Sequence, residues 1–313
     1  MDDYRLRNSR TITFRHCTGV PRTGTKRFRN RCEPSPYCLA EESIPFVIET
    51  RITLGGSTYR AHWGAAIDLA LPVNFEKQNP SFFDLPQPRI TAVEGGGFIG
   101  DTQRGGSCNC STIELTPHGS MTHTESAAHL DAKEAYVANV APKGPLPCQL
   151  ITVLTQPFRE TNESYNGFEH DEDLVISAQT IKEQWSEVEG IQALVIRSLP
   201  DEGKAMRNYG ERPAAYLTHE AVELIVKRGI DHLVLDLPSL DRYEDGGSLP
   251  NHRIFWQLKP GSRAHGGHRT VTELALVPNE AQDGVYLLDL QVPRMLCDAA
   301  PSRPLLFPLE RAP

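Results

Sequence analysis

Two stretches in the second half of the chain share one plan, a helical pattern followed by an uninterrupted apolar run, and this repetition restricts the fold more than any other feature. In "DLVISAQTIKEQWSEVEGIQALVIRSL" a helix is expected from about Thr180. Glu183, three residues on, would complete a capping box, Gly190 would stop the helix, and "ALVI" follows as a strand. "YLTHEAVELIVKRGIDHLVLDLPSLD" repeats the plan with Thr218 as N-cap. Ala221, Val222, Leu224 and Ile225 form the buried stripe, Gly229 is the stop and "HLVLDL" the strand. Helix then strand, twice, places helices against a sheet, an α/β arrangement.

The first half reads differently. "IPFVIETRITLGG" and "AAIDLALPV" are strand candidates, whereas "QNPSFFDLPQP" and "VEGGGFIGDTQRGGS" read as loops, so this half is β-rich. Ahead of it, Arg5, Arg7, Arg10, Arg15, Arg22, Lys26, Arg27, Arg29 and Arg31 crowd a segment opposed only by Asp2 and Asp3. With few apolar residues to bury, residues 1–40 are expected to be a basic, disordered tail, and residues 41–313 a single domain.

No apolar run approaches the roughly 18 residues that span a bilayer, and the net charge of -8 argues against a general nucleic-acid binder. Seven cysteines, an odd number with no signal peptide before them, fit free thiols and a cytoplasmic location. Cys17, Cys32 and Cys38 with His16 match no common zinc-finger spacing, and Cys108 and Cys110 read as exposed thiols in a flexible loop.

The densest chemistry lies in "LTPHGSMTHTESAAHLDA", where His118, His123, Glu125 and His129 fall within twelve positions. On an extended segment His123 and Glu125, two apart, leave the same face and can meet one cation. Imidazole with carboxylate suits zinc, manganese or iron. His129, beyond Ala127 and Ala128, can overhang such a site without being a ligand.

"THTESAAHLDA" resembles the H-x-G-T-H-x-D-A-P-x-H signature of the cyclase-like superfamily, which includes bacterial kynurenine formamidases and isatin hydrolase, its last three functional positions falling on His123, Glu125 and His129. The resemblance continues downstream, from about residue 60 to 310. Asp236, Pro238, Ser239 and Asp241 resemble the D-x-P-S-x-D turn. His252 in "LPNHRIFWQL" and Glu273 in "TVTELALV" take the places of family ligands, and Asp298 to Arg303 resemble the D-G-S-P-x-R turn. The resemblance implies the cyclase-like α/β/β fold, with helices packed on a mixed β-sheet core. It also implies a divalent metal, zinc first and manganese second, and hydrolysis of an amide, formamide or cyclic imide or lactam C–N bond in a small-molecule substrate. His123, Glu125, His252, Glu273 and His118 are then the candidate ligands and His129 the candidate general acid and base. Family resemblance also implies a homo-oligomer, dimer or tetramer.

This chain departs from the family pattern at three positions. The family's first ligand His falls on Gly119, its Asp is Glu125 and its Pro is Ala127, which together favour one cation over two. On a regular strand His118 would point to the opposite face, whereas a bulge near Ser120 and Met121 would return it to the site. A non-catalytic metal- or ligand-binding module and a metal-assisted cyclase or dehydratase stand as the alternatives. Asp236, Ser239 and Asp241 also read as turn-capping residues, and His252 as a solvent-facing residue at a helix start. His265 and His268 are expected in an exposed loop. Trp63, Phe82 and Phe83 read either as an aromatic pocket wall or as core.

Overall fold

A computed structural model describes residues 50–130, 135–166, 169–200, 203–211, 213–259 and 265–312. The basic segment 1–40, with His16, Cys17, Cys32 and Cys38, and the expected domain start near residue 41 lie outside the described residues.

The described chain is built on one mixed sheet of eleven strands. Its first three are β1 (Thr50–Leu54), β2 (Ser57–Ala61) and β3 (Ile67–Asp68). A short helix, α1 (Pro117–Ser120), leads into β4 (His123–Ser126). Next come β5 (Leu146–Leu154), α2 (Ala178–Gln184), β6 (Ala193–Leu199), α3 (His219–Lys227), β7 (His232–Leu235), α4 (Pro250–Phe255) and β8 (Thr270–Glu273). The chain closes with β9 (Gly284–Asp289), β10 (Ala299–Pro301) and β11 (Leu305–Arg311). The spatial order is β1-β2-β11-β9-β5-β6-β7-β8-β4-β10, with β3 also on β11.

The four central strands β5 to β8 are mutually parallel, and one helix connects each to the next. Right-handed crossovers in a constant direction carry all such helices to one face. Leu194 and Ile196 of β6 accordingly pack with Ile181 of α2, Val222 and Ile225 of α3 and Phe255 of α4. The alternate residues Ala193 and Val195 face the other way, into a second cluster with Leu150, Val234, Tyr286 and Leu288. Both faces are covered, which is why these strands read as continuous apolar runs. Each buried Leu or Ile contributes roughly 1.5–3 kcal/mol.

The helix starts follow local chemistry, with one shift from expectation. Thr218 caps α3, its hydroxyl accepting from Ala221 N at 3.2 Å, and Gly229 takes the left-handed conformation just past the helix end. Helix α2 begins earlier than expected. Its cap is Ser177, whose hydroxyl accepts from Thr180 N while the Thr180 hydroxyl accepts from Ser177 N, so Thr180 rather than Glu183 closes the box. The helix ends at Gln184, well short of Gly190, because Trp185 turns to extended backbone and packs its ring on the core. In the first half, part of the expected loop after Val93 pairs instead as a ribbon of Glu94–Gly95 with Phe98–Ile99.

Strand β4 lies antiparallel against β8, with His123 opposite Glu273 and Glu125 opposite Val271. Its other edge pairs with β10, where Ala299 faces Glu125. The start of β4 therefore meets the carboxyl ends of β7 and β8, the end of a parallel sheet where ligand sites form.

Candidate metal and catalytic site

Alternation along β4 sends His123 and Glu125 to one face and Thr124 to the other, where its hydroxyl meets that of Thr272 at 2.7 Å. Glu273, directly opposite His123, shares the first face, and its Oε2 lies 3.5 Å from His123 Nε2. After β7 the chain turns through Pro238 and Ser239 to Asp241, and α4 then presents His252 to the same point. His252 Nε2 is 2.8 Å from Glu125 Oε1 and 3.4 Å from Glu273 Oε1.

His118 reaches the site by a route that strand geometry does not provide. Because α1 replaces strand just before β4, the alternation rule does not apply to it, and its Nδ1 lies 3.3 Å from Glu125 Oε2. Gly119 cannot carry the imidazole instead: a Cβ there would sit 2.8 Å from Leu85 Cβ, while its carbonyl accepts from Phe82 N at 2.9 Å. His129, on the turn after β4, stacks against His118 with ring centres 4.4 Å apart, and its Nδ1 lies 3.3 Å from Asp298 Oδ2. The same Asp298 oxygen is 2.9 Å from His118 Nε2.

All five candidate ligands and His129 therefore converge. His123, Glu125, His252 and Glu273 are buried, while His118 and His129 are partly exposed along a cavity of 310 Å³. Phe82, Phe83, Leu85, Pro238 and Leu249 form its apolar walls, and Tyr243 stacks behind Phe83 at 5.2 Å. Trp63 has no part in this. It donates to Thr50 Oγ1 and packs on Phe307, because its segment folds beside the β1 and β11 edge. His265 and His268 are exposed, the latter 2.9 Å from Asp231. Cys108 and Cys110 are free and exposed.

Three buried atoms in the cluster, His123 Nε2, Glu125 Oε1 and His252 Nε2, make no hydrogen bond. The close approach of the last two thus lacks hydrogen-bond alignment. Ligand atoms about 2.1 Å from one cation at a tetrahedral angle stand about 3.4 Å apart, and at a right angle about 3.0 Å. The separations from 2.8 to 3.5 Å here fit that spacing. Among the described residues three overlapping donor sets could hold a metal ion: His118 with His123 and Glu125, Glu125 with His252 and Glu273, and the partly exposed His118 with His129 and Asp298.

The electrostatics point the same way. Burial disfavours charge on His118, but Asp298 and Glu125 override it and push its pKa up to about 10. Burial likewise opposes ionisation of Glu125, yet His252 and His118 hold it well below the usual carboxylate range; His252 itself is raised against its own burial by Glu125 and Asp241. Asp298 is held low by hydrogen bonds from His118 and His129. The raised pKa values of His118 and His252 favour their protonated forms, so a cation bound here would release protons.

Asp241 and Asp298 were not among the candidate site residues. The D-x-P-S-x-D turn signal located Asp241 and gave it a turn-capping role, which fits Ser239, whose hydroxyl accepts from Asp241 N. Asp241 itself does more, accepting from His252 Nδ1 at 2.7 Å, so His252 is buried and oriented rather than solvent-facing. Asp236 is buried in an ion pair with Lys204 at 2.7 Å.

Residues 67–242 match the model of the Cyclase family. The chain belongs to that family. Among solved structures, this Cyclase-family chain resembles a "predicted metal-dependent hydrolase" from Bacillus stearothermophilus at 17% identity and TM-score 0.52, covering 77% of this chain and 97% of that one. It also resembles an isatin hydrolase bound to the product analogue thioisatinate, at 14% identity and TM-score 0.55, covering 79% and 93%. A third is isatin hydrolase A from Labrenzia aggregata bound to benzyl benzoate, at 14% identity and TM-score 0.53, covering 78% and 94%. No curated protein sequence matches. No helix among the described residues is long and apolar enough to cross a membrane.

Proposed function

We propose that this Cyclase-family protein is a metal-dependent hydrolase that cleaves the C–N bond of a small amide, formamide, cyclic imide or lactam. The observation that carries the reading is the convergence of His123 Nε2, Glu125 Oε1 and His252 Nε2, buried and without hydrogen bonds, at the floor of an apolar-walled cavity. His123, Glu125, His252 and Glu273 hold a divalent cation, zinc before manganese, with His118 on the second oxygen of Glu125. A cation there supplies Lewis acidity, polarising a carbonyl and lowering the pKa of a water to about 7.

The chain's own residues do the rest. Phe82, Phe83, Leu85 and Leu249 enclose the organic part of the substrate and exclude bulk water. Asp298, held ionised, accepts from His129 Nδ1 and thereby fixes the tautomer whose Nε2 is free to accept a proton. His129 takes the proton from the attacking water and delivers it to the leaving nitrogen as the C–N bond breaks. The hydroxyl stays on the carbonyl carbon, so the products together contain one added water. The test is elemental analysis of protein purified without chelator, followed by turnover of formanilides, imides and lactams with product masses recorded. Stoichiometric metal with products heavier by one water supports the reading, and metal-free protein without turnover refutes it.

A further inference from the structure

One of the site's two buried imidazoles, His252, is oriented by a chain of contacts that begins outside the cavity lining. His252 donates from Nδ1 to Asp241 Oδ2 at 2.7 Å, and its backbone N–H donates to the same oxygen at 3.3 Å. The other oxygen, Oδ1, accepts from Asn251 N at 2.9 Å and from the Tyr165 hydroxyl at 2.8 Å. That hydroxyl in turn accepts from Arg242 N at 3.0 Å. Tyr165, Asp241 and His252 are all buried. The segment carrying Tyr165 is itself fastened, because Ser164 donates from N and Oγ to Glu220, and His219 N donates to Ser164 O.

From this geometry we propose that Tyr165 is a positioning residue for the cation site, acting through Asp241 to hold the His252 ring with Nε2 aimed at Glu125 and Glu273. The inference rests on the proposed cation site for its consequence, but not for its geometry. A carboxylate that orients a ligating imidazole works only if its own rotation is fixed. One oxygen of Asp241 serves His252 entirely, so the torsion of the carboxylate is set by what binds the other oxygen. Asn251 N and the Tyr165 hydroxyl do that from two directions. Burial and then Asp241 hold the phenol far above its ordinary range, so the hydroxyl keeps its proton and donates throughout the accessible pH range.

The experiment compares Tyr165→Phe with Tyr216→Phe. The first removes only the hydroxyl and keeps the ring on Tyr216, whose centre is 4.7 Å away. The second removes the neighbouring hydroxyl, which donates to Asp173 rather than Asp241. Zn²⁺ affinity is measured by chelator competition on full-length protein. A second readout is the downfield ring N–H proton signal of the metal-free protein that disappears in His252→Gln. Tyr165→Phe is expected to bind Zn²⁺ about tenfold more weakly, the lower end of what an outer partner of a ligand contributes, and to broaden the ring N–H signal. Tyr216→Phe is expected to leave both unchanged. If Tyr165→Phe matches wild type in both readouts, or Tyr216→Phe weakens both equally, the relay is overturned while the hydrolase reading stands. A wild-type protein that binds no Zn²⁺ but still shows the Tyr165-dependent signal refutes the metal reading and leaves the relay intact.

Discussion

Glu125→Asp restores the residue the family pattern carries, yet in this chain it should damage the site. Strand pairing on both edges of β4 fixes the backbone at 125, opposite Val271 on one side and Ala299 on the other, so the residue cannot slide to follow a shorter side chain. Removing one methylene withdraws the carboxylate by about 1.5 Å. Its oxygens now lie 2.8 Å from His252 Nε2 and 3.3 Å from His118 Nδ1; both gaps would open beyond about 4 Å, wider than the roughly 3.4 Å between atoms that share one cation. Loss of a partner outside the coordination sphere commonly costs about 10–100-fold in metal affinity, so displacing a ligand should cost at least about 100-fold, or about 2.7 kcal/mol. The lost methylene itself costs only about 1 kcal/mol of stability, which leaves the protein folded. The assay is Zn²⁺ competition against a chelator, with circular dichroism as the fold control. Affinity equal to or tighter than wild type would show that the sheet relaxes around position 125 and that the spacing argument fails.

Three further perturbations probe separate parts of the reasoning. His129→Ala should lower kcat by about 10²–10⁴-fold with metal stoichiometry unchanged, because its hydrogen bond runs to Asp298; metal loss on elemental analysis would make it a ligand instead. Gly119→Ala forces its Cβ against Leu85 Cβ, an overpacking cost of about 1–3 kcal/mol in thermal denaturation. It should raise KM more than it lowers kcat, because Leu85 lines the cavity, and equal effects on both would contradict this. His232 is buried and its pKa is lowered to about 4, first by desolvation and also by His268. A depressed imidazole favours the fold above the unfolded value near 6.5, and that contribution, about 3 kcal/mol, is lost as pH falls from there through 4. Urea midpoints at pH 7 and pH 5 should therefore converge in His232→Gln, and an unchanged difference would remove His232 as the cause.

What the sequence disclosed, it disclosed through short periods. "ALVI" and "HLVL" announced strands buried on both faces, Thr218 announced a helix start, and the two-residue interval between His123 and Glu125 announced a shared face. Each signal depends on neighbours within a few residues. The position of His118 was not legible because one turn of helix before β4 breaks the alternation that the argument used. Trp63 was ambiguous because an aromatic side chain looks the same on a pocket wall and against Phe307. Asp298, though placed in the D-G-S-P-x-R turn, carried no signal of its contact with the histidines, and Tyr165 carried no signal at all, for another reason. Their partners stand 180 and 76 residues away, and no local pattern marks a carboxylate or phenol for a contact of that span.

Those distant contacts bear on how the cluster is held with no cation bound. The buried carboxylates Glu125 and Asp241 would each cost several kcal/mol if left unpaired, and the half-exposed Asp298 less. Here each has a fixed counterpart: Glu125 lies between His118 and His252, Asp241 under His252, and Asp298 against His118 and His129. The elements carrying these groups are held by strand pairing on β4 and by the apolar cluster beneath α4, independently of any metal. Among the candidate ligands, the buried atoms His123 Nε2, Glu125 Oε1 and His252 Nε2 lack hydrogen bonds. The scaffold thus spends its pairing on holding the ligands still and leaves their inward atoms unsatisfied. A divalent cation at the proposed site would then meet a preorganised cluster and would displace protons rather than structure.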